Sequence, residues 1–192
     1  DDDAVRDSLR LLLKSAGLPV KDFAGAAEFL ESHDSEQGGC LVLDIHMPGV
    51  NGLQLQDELR RRGAAIPIIF ITGHGDVPIA VQAMKQGAVE FLQKPFDDED
   101  LLASIRKAFV RDVEARSQNR HSSEARERYA TLTPREKQVM EKVAAGLSSK
   151  QIAYELGISQ RTVEIHRGAV MNKMNADSVA GLVKMMMSIP KE

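Results

Sequence analysis

Two runs in this chain, Cys40–Leu43 and Ile66–Ile71, carry no charged or amide side chain, and they end on Asp44 and Thr72. A half-exposed strand alternates apolar and polar residues, and a surface helix keeps a polar face. Runs this short and this uniformly apolar, bounded by Gly38-Gly39, Pro48-Gly49 and Gly73, read instead as strands buried on both faces. Such strands need helices on both sides of a parallel sheet, and each parallel connection needs a crossover. The question is then why a carboxylate should end one of them.

The flanking pattern supplies the crossovers. Val5–Ser15, Ala26–Ser32, Leu53–Arg62 and Val77–Gln86 show helical spacing, with Gly17 and Gly87 as stops, while Val20–Phe23 and Val89–Gln93 read as further strands. Alternation of this kind predicts an α/β doubly wound parallel sheet. Asp97 is placed to cap a following helix whose first turn holds Asp98, Glu99 and Asp100. Beyond Arg111 apolar residues thin out, so a partly helical linker is expected over 113–130, with a flexible centre at Ser117–Ser123.

From Thr131 onward the pattern is only helical. Thr133-Pro134-Arg135-Glu136 is a capping box with proline at the first helical position. Ser149–Leu156, closed by Gly157, precedes a longer helix from Ser159, and a last helix starts at Asp177 or Ser178. A short helix, a glycine turn and a longer helix make a helix-turn-helix. The expected division is therefore 1–112, linker 113–130, and an all-α domain over 131–192.

Composition separates the halves further. Residues 1–125 hold 14 Lys and Arg against 21 Asp and Glu, a net of −7, whereas 126–192 hold 11 against 7, a net of +4. A basic helical domain suits a polyanion. Trp is absent and aromatics are 4%, which disfavours a base-stacking platform. With neither a long apolar run nor a basic-then-apolar opening, a cytoplasmic protein is expected. Cys40 is alone and reads as a small core residue.

In a doubly wound sheet ligands bind beyond the carboxyl ends of the strands. Asp44, Thr72 and Lys94 each end a different predicted strand, so their loops converge. A carboxylate with a hydroxyl, an ammonium and a cation can accept a phosphoryl group. Asp1-Asp2-Asp3, LVLDIHMPG, FITGHGD and FLQKPF resemble, in that order, the receiver domain of two-component response regulators, a flavodoxin-like fold. The resemblance implies Asp44 as phosphoacceptor, Thr72 as switch hydroxyl, Phe91 as the ring that moves with it, Lys94 as charge partner, and Pro95 after a cis bond. It implies Mg²⁺ or Mn²⁺ held by Asp1, Asp44 and the backbone carbonyl of His46. The alternative register pairs Asp1 with Asp2. In the family an apolar first strand precedes these acids in mid-sheet; here that strand, the first acid and about ten residues are expected to be missing.

The second half, with LTPRE, GLSSKQIA, LGIS and TVEIH, resembles the LuxR-type DNA-binding domain, and the whole chain resembles the FixJ branch of the NarL/FixJ response regulators. Helical spacing sends Val163, Val170 and Met174 to the core and leaves Thr162, Glu164, Ile165, Arg167 and Gly168 for a major groove. Lys150, Arg161, Arg167 and Lys173 are assigned to phosphates and Glu164, Ile165 and Gly168 to bases, with Arg167 open to either role. His166 suits a phosphate contact or helix packing. Ala180, Val183, Met186 and Met187 form an apolar stripe, and Met185–Met187 suit either a core or a dimer contact.

The expectation is a non-enzymatic transcription regulator that a sensor histidine kinase phosphorylates on Asp44. It would then dimerise, bind DNA and activate transcription, with RNA polymerase a further partner and no membrane partner. The alternatives are a phosphorylation-independent DNA-binding regulator and an Asp-nucleophile phosphatase.

Overall fold

The computed structural model describes residues 2–34, 37–73 and 77–189. The chain forms two compact units, Asp1–Arg116 and Ser117–Glu192.

In the first unit, α1 (Asp3–Ser15) is capped by the Asp2 carboxylate, which accepts from the Ala4 and Val5 N–H groups at 2.8 and 3.2 Å. α2 (Ala26–Ser32), α3 (Gly52–Arg61) and α4 (Val77–Lys85) alternate with β1 (Leu41–Asp44), β2 (Ile68–Thr72) and β3 (Glu90–Gln93). Among the described residues the strands are parallel in the order β1-β2-β3, with Leu43 opposite Phe70 and Phe70 opposite Phe91. All five residues of central β2 are buried. Ile68 and Phe70 pack with Leu55 and Leu59 of α3 and Ala83 of α4, while Ile69 faces Leu13 of α1 and Leu101 and Ile105 of α5 (Asp98–Ala130). Helices on both faces are the reason this strand carries no polar side chain before Thr72.

Three expectations are corrected. Val20–Phe23 forms no strand. It lines a cavity of about 650 Å³ that Leu41, Val42 and Leu43 also line, and among the described residues it pairs with none of the three strands. β1 is an edge strand, and only Leu43 of its four residues is buried. The segment expected to loosen at 117–123 is instead part of one unbroken helix, α5. No Gly or Pro lies between Asp98 and Ala130, and Asp112–Arg116 and Glu124–Arg128 pair one turn apart.

Asp112 is nearly buried, accepting from Arg116 Nε at 2.9 Å and from the Gly39 N–H at 3.0 Å. Arg116 also donates to the Gln37 carbonyl. Half-buried Cys40 lies close by, its thiol pushed up to about 11 by burial and then by the Asp112 charge.

In the second unit, α6 (Pro134–Ala144), α7 (Ser149–Leu156), α8 (Gln160–Met174) and α9 (Val179–Ser188) begin at the N-caps Thr133, Ser148, Ser159 and Ser178. Capping boxes form at Thr133–Glu136 and Ser148–Gln151. Gly157 ends α7 in the left-handed conformation, φ 64°, which sets the turn into α8. Val139, Met140, Ile152, Val163, Val170, Met174 and Leu182 form the core. On α9 it is Leu182 that is buried, with Met185 and Met186 partly so, whereas Met187 is exposed and Ala180 lies outside the core.

Candidate functional site

The carboxyl ends of the three strands gather the chemistry of the first unit. Asp44 ends β1, and its Oδ2 lies 2.7 Å from Lys94 Nζ, fifty residues away in sequence. The His46 N–H donates to Asp44 Oδ1 at 3.0 Å, so the loop after β1 folds back on the carboxylate. Lys94 is set by its backbone: its N–H donates to the Thr72 carbonyl at 2.7 Å, extending the β2–β3 ladder, and the peptide to Pro95 is cis. Thr72 ends β2 with its side chain fully buried. Phe91 is half-buried in β3 and packs against the core beneath β2. The carboxylate and ammonium keep 16% and 25% of their side-chain surface open, enough for a ligand to reach them.

The structure thus brings Asp44, Lys94, His46 and the end of β2 together. Asp1 lies outside the described residues, as does His74. Asp2, the acid of the alternative register, caps α1 and also lines the cavity that Asp44 and Lys94 border. Among the described residues no three His, Cys, Asp or Glu side chains cluster as a metal site. The donors available are nevertheless hard oxygens, the Asp44 carboxylate and the loop carbonyls. They fit Mg²⁺, which binds through one or two carboxylates and keeps several waters.

One residue of this site has no side chain to notice. Gly52 opens α3 behind the N-cap Asn51, and a Cβ there would stand 2.5 Å from the Asp44 carbonyl oxygen and 3.0 Å from Ile45 Cα. The Gly52 N–H also donates to the Ile45 carbonyl at 3.0 Å. Glycine lets α3 press against the strand end that carries the carboxylate. The only sequence signal is Asn51-Gly52 ahead of a helical pattern with Gln54 as capping partner.

In the second unit, α8 carries the residues expected to meet DNA. Arg161, Glu164, Ile165 and Gly168 are exposed, as is Lys150 on α7. Thr162 is tied to the cap, its Oγ1 2.7 Å from Ser159 Oγ, and Glu164 accepts from Gln160 Nε2 at 3.2 Å. Arg167 donates to Ser149 Oγ at 3.1 Å, bracing α8 against the start of α7, and His166 is half-buried. Lys173 is held at 2.7 Å by the nearly buried Glu136, which it keeps below the usual carboxylate range, assisted by the Thr133 N–H. Its ammonium is engaged within the domain. Asn172, which sequence reasoning passed over, is exposed on the same side as Arg161 and Ile165.

Comparison with known proteins matches both units. Residues 1–106 match the response regulator receiver domain family, and residues 130–186 match the luxR family of bacterial regulatory proteins. The chain is 51% identical over 185 residues to the transcriptional regulatory protein FixJ of Azorhizobium caulinodans, covering 96% of this chain and 88% of that protein. It is 46% identical over 184 residues to the response regulator protein TodT of Pseudomonas putida, covering 96% of this chain and 81% of the other. Among solved structures, the response regulator StyR aligns with a TM-score of 0.83 at 46% identity, over 97% of this chain and 94% of that one.

Proposed function

The chain belongs to the NarL/FixJ-type two-component response regulators, transcription factors that join a receiver to a LuxR-type DNA-binding domain, and on that footing we propose that Asp44 is its phosphoacceptor. The observation that carries this reading is the 2.7 Å contact of Asp44 with Lys94, at a strand end left open to solvent. An Asp44 carboxylate oxygen attacks the phosphorus of a kinase phosphohistidine. The new O–P bond forms as the P–N bond breaks, and the imidazole leaves and takes a proton from water. Lys94 neutralises charge on the transferred group, and the His46 N–H is placed beside the same carboxylate. Mg²⁺, held by Asp44 and the His46 carbonyl with Asp1 or Asp2, supplies further charge neutralisation when bound.

Thr72 and Phe91 relay the change to α4 and β3. Val77, Val81 and Met84 are exposed at i, i+4 and i+7 on α4, an apolar face suited to pairing two receivers. Phosphorylation then shifts a pre-existing equilibrium toward a dimer that binds two DNA half-sites through α8. The division of labour is a receiver over 1–112, a linker over 113–130 and the DNA-binding domain over 131–192, acting in the cytoplasm on promoter DNA and RNA polymerase. Turnover is confined to self-phosphorylation from small donors and autodephosphorylation. No helix among the described residues is long and apolar enough to cross a membrane.

Intact mass after incubation with acetyl phosphate and Mg²⁺ tests the reading. One labile phosphoryl adduct, absent from Asp44→Asn, is expected. A folded protein that gains no adduct would leave a regulator working without phosphorylation, and multiple turnover of a phosphate ester would favour the phosphatase.

A further inference from the structure

Among the described residues of the first unit, Asp112 is the one charged residue that is buried, and it lies outside the phosphoryl site. Its Oδ2 accepts from the Gly39 N–H at 3.0 Å and from Arg116 Nε at 2.9 Å, while its Oδ1 accepts from the same Nε at 3.0 Å. Arg116 in turn donates to the Gln37 carbonyl. The loop is shaped for this clasp: a Cβ on Gly38 would stand 3.1 Å from Asp112 Oδ2 and 3.6 Å from Arg116 Nε. The Gly38 backbone is not left-handed, so it is the approaching carboxylate, and not the turn, that calls for glycine there.

A buried ion pair adds little net stability over an apolar pair of the same size, but it holds its elements in one relative orientation. The elements held here are specific. Residues 37–39 lead directly into β1, whose far end is Asp44. Asp112 and Arg116 form the last turn of α5 within the first unit, and α5 runs on unbroken to Ala130. Near that end Ala125 is buried and Tyr129 packs against the core of the second unit. From Asp112 to Tyr129 the helix covers about 26 Å, so a turn of its axis at the clasp is carried into the second unit. We propose that Asp112 is a positioning residue that couples the two domains: its clasp with Arg116 and the Gln37–Gly39 backbone joins α5 to the strand that carries Asp44, and phosphorylation alters DNA affinity through that joint. The inference rests on the phosphorylation reading and adds the route by which it reaches the DNA-binding domain.

The test uses the full-length chain and duplexes that the wild type, treated with acetyl phosphate and Mg²⁺, retains from a randomised library. Anisotropy gives the dissociation constant with and without acetyl phosphate, and their ratio is the gain on phosphorylation. Intact mass gives the extent of the adduct. Asp112→Asn and Arg116→Gln are expected to form the adduct as the wild type does, because the clasp sits at the opposite end of β1 from Asp44. Their gain should shrink by about fivefold or more, the low end of the usual coupling between two sites. Gly38→Ala leaves both charges in place and crowds the carboxylate from the loop side, so the gain should shrink there too. A clasp that only stabilised the receiver would lower the melting midpoint of the variants and leave the ratio unchanged well below that midpoint.

An undiminished gain in Asp112→Asn and Arg116→Gln overturns the inference, as does loss of the adduct, which would make the clasp part of the phosphorylation site. Where neither variant folds, an undiminished gain in Gly38→Ala overturns it instead. A wild type that forms no adduct, or gains no DNA affinity from it, removes the phosphorylation reading and this inference with it.

Discussion

Replacing Gly52 by alanine sets two physical effects against each other. By helix propensity alone Gly→Ala in α3 should stabilise, by at most about 1 kcal/mol. Space argues the reverse: the new Cβ would lie 2.5 Å from the Asp44 carbonyl oxygen, 3.0 Å from Ile45 Cα and 3.0 Å from Phe70 Cε1. Two of the three neighbours are backbone, and Phe70 is fully buried, so no flexible side-chain end can yield. Reaching ordinary contact requires α3 or the end of β1 to move by about 1 Å, and overpacking of this kind costs roughly 1–3 kcal/mol. A net loss of about 1–2 kcal/mol follows, a fall of roughly 4–10 °C in the receiver's melting midpoint. The strand end that moves holds Asp44, so its 2.7 Å contact with Lys94 should loosen and phosphorylation by acetyl phosphate should slow. Calorimetry of Gly52→Ala beside Gly168→Ala, inside α8 where a Cβ meets nothing within 4 Å, separates the effects. A Gly52→Ala protein that melts at or above the wild-type temperature would refute the steric argument.

Other outcomes follow from the same structure. Glu136 has its pKa lowered by Lys173, so its contribution is complete above the unfolded value near 4.5 and is lost as pH falls through the lower folded value. Glu136→Gln keeps a capping side chain but no charge, and melting of the second unit should then depend less steeply on pH below about 4.5; an unchanged slope would count against the ion pair. Cys40, with its thiol raised to about 11 from 9.0, should alkylate about a hundredfold more slowly at pH 8 than an unperturbed thiol, with Asp112→Asn relieving only the lesser cause. Labelling as fast as a free thiol would contradict that burial. Met174→Ala, at a fully buried position, should cost the second unit about 2–5 kcal/mol by denaturant titration, and a loss below 1 would mean the core closes over the gap.

Much of this molecule is written in stretches a few residues long. The capping box at Thr133, the glycine stop at Gly157 and the spacing of Val163, Val170 and Met174 each depend on neighbours within three or four positions, or on one helical face. Hence the helix-turn-helix and its inward side were legible. The apolar run ending in Thr72 was equally plain, because a strand covered on both faces tolerates no charge along its length, whereas the run ending in Asp44 formed its strand at the sheet edge with only Leu43 buried. Residues 117–123 misled for the opposite reason: thinning apolar residues signalled looseness, while helix formers without Gly or Pro kept α5 continuous.

Relations between distant residues had to wait for the fold. Sequence could place Lys94 at a strand end, but only the β2–β3 register aims it at Asp44. Lys173 reads as a free cation until folding brings it against Glu136, thirty-seven positions earlier. Val20–Phe23 has strand-like residues, yet a strand exists only through hydrogen bonds to a neighbour, and among the described residues this segment joins no sheet. Gly52 is the sharpest case. The missing side chain is visible in any listing of the chain, but the carbonyl it makes room for lies eight residues away and meets it only once α3 has docked on β1. Local spacing in the sequence therefore determined the helices of the second unit and the faces they bury; the tertiary structure decided which strands pair and which groups touch, since both depend on how separate elements dock.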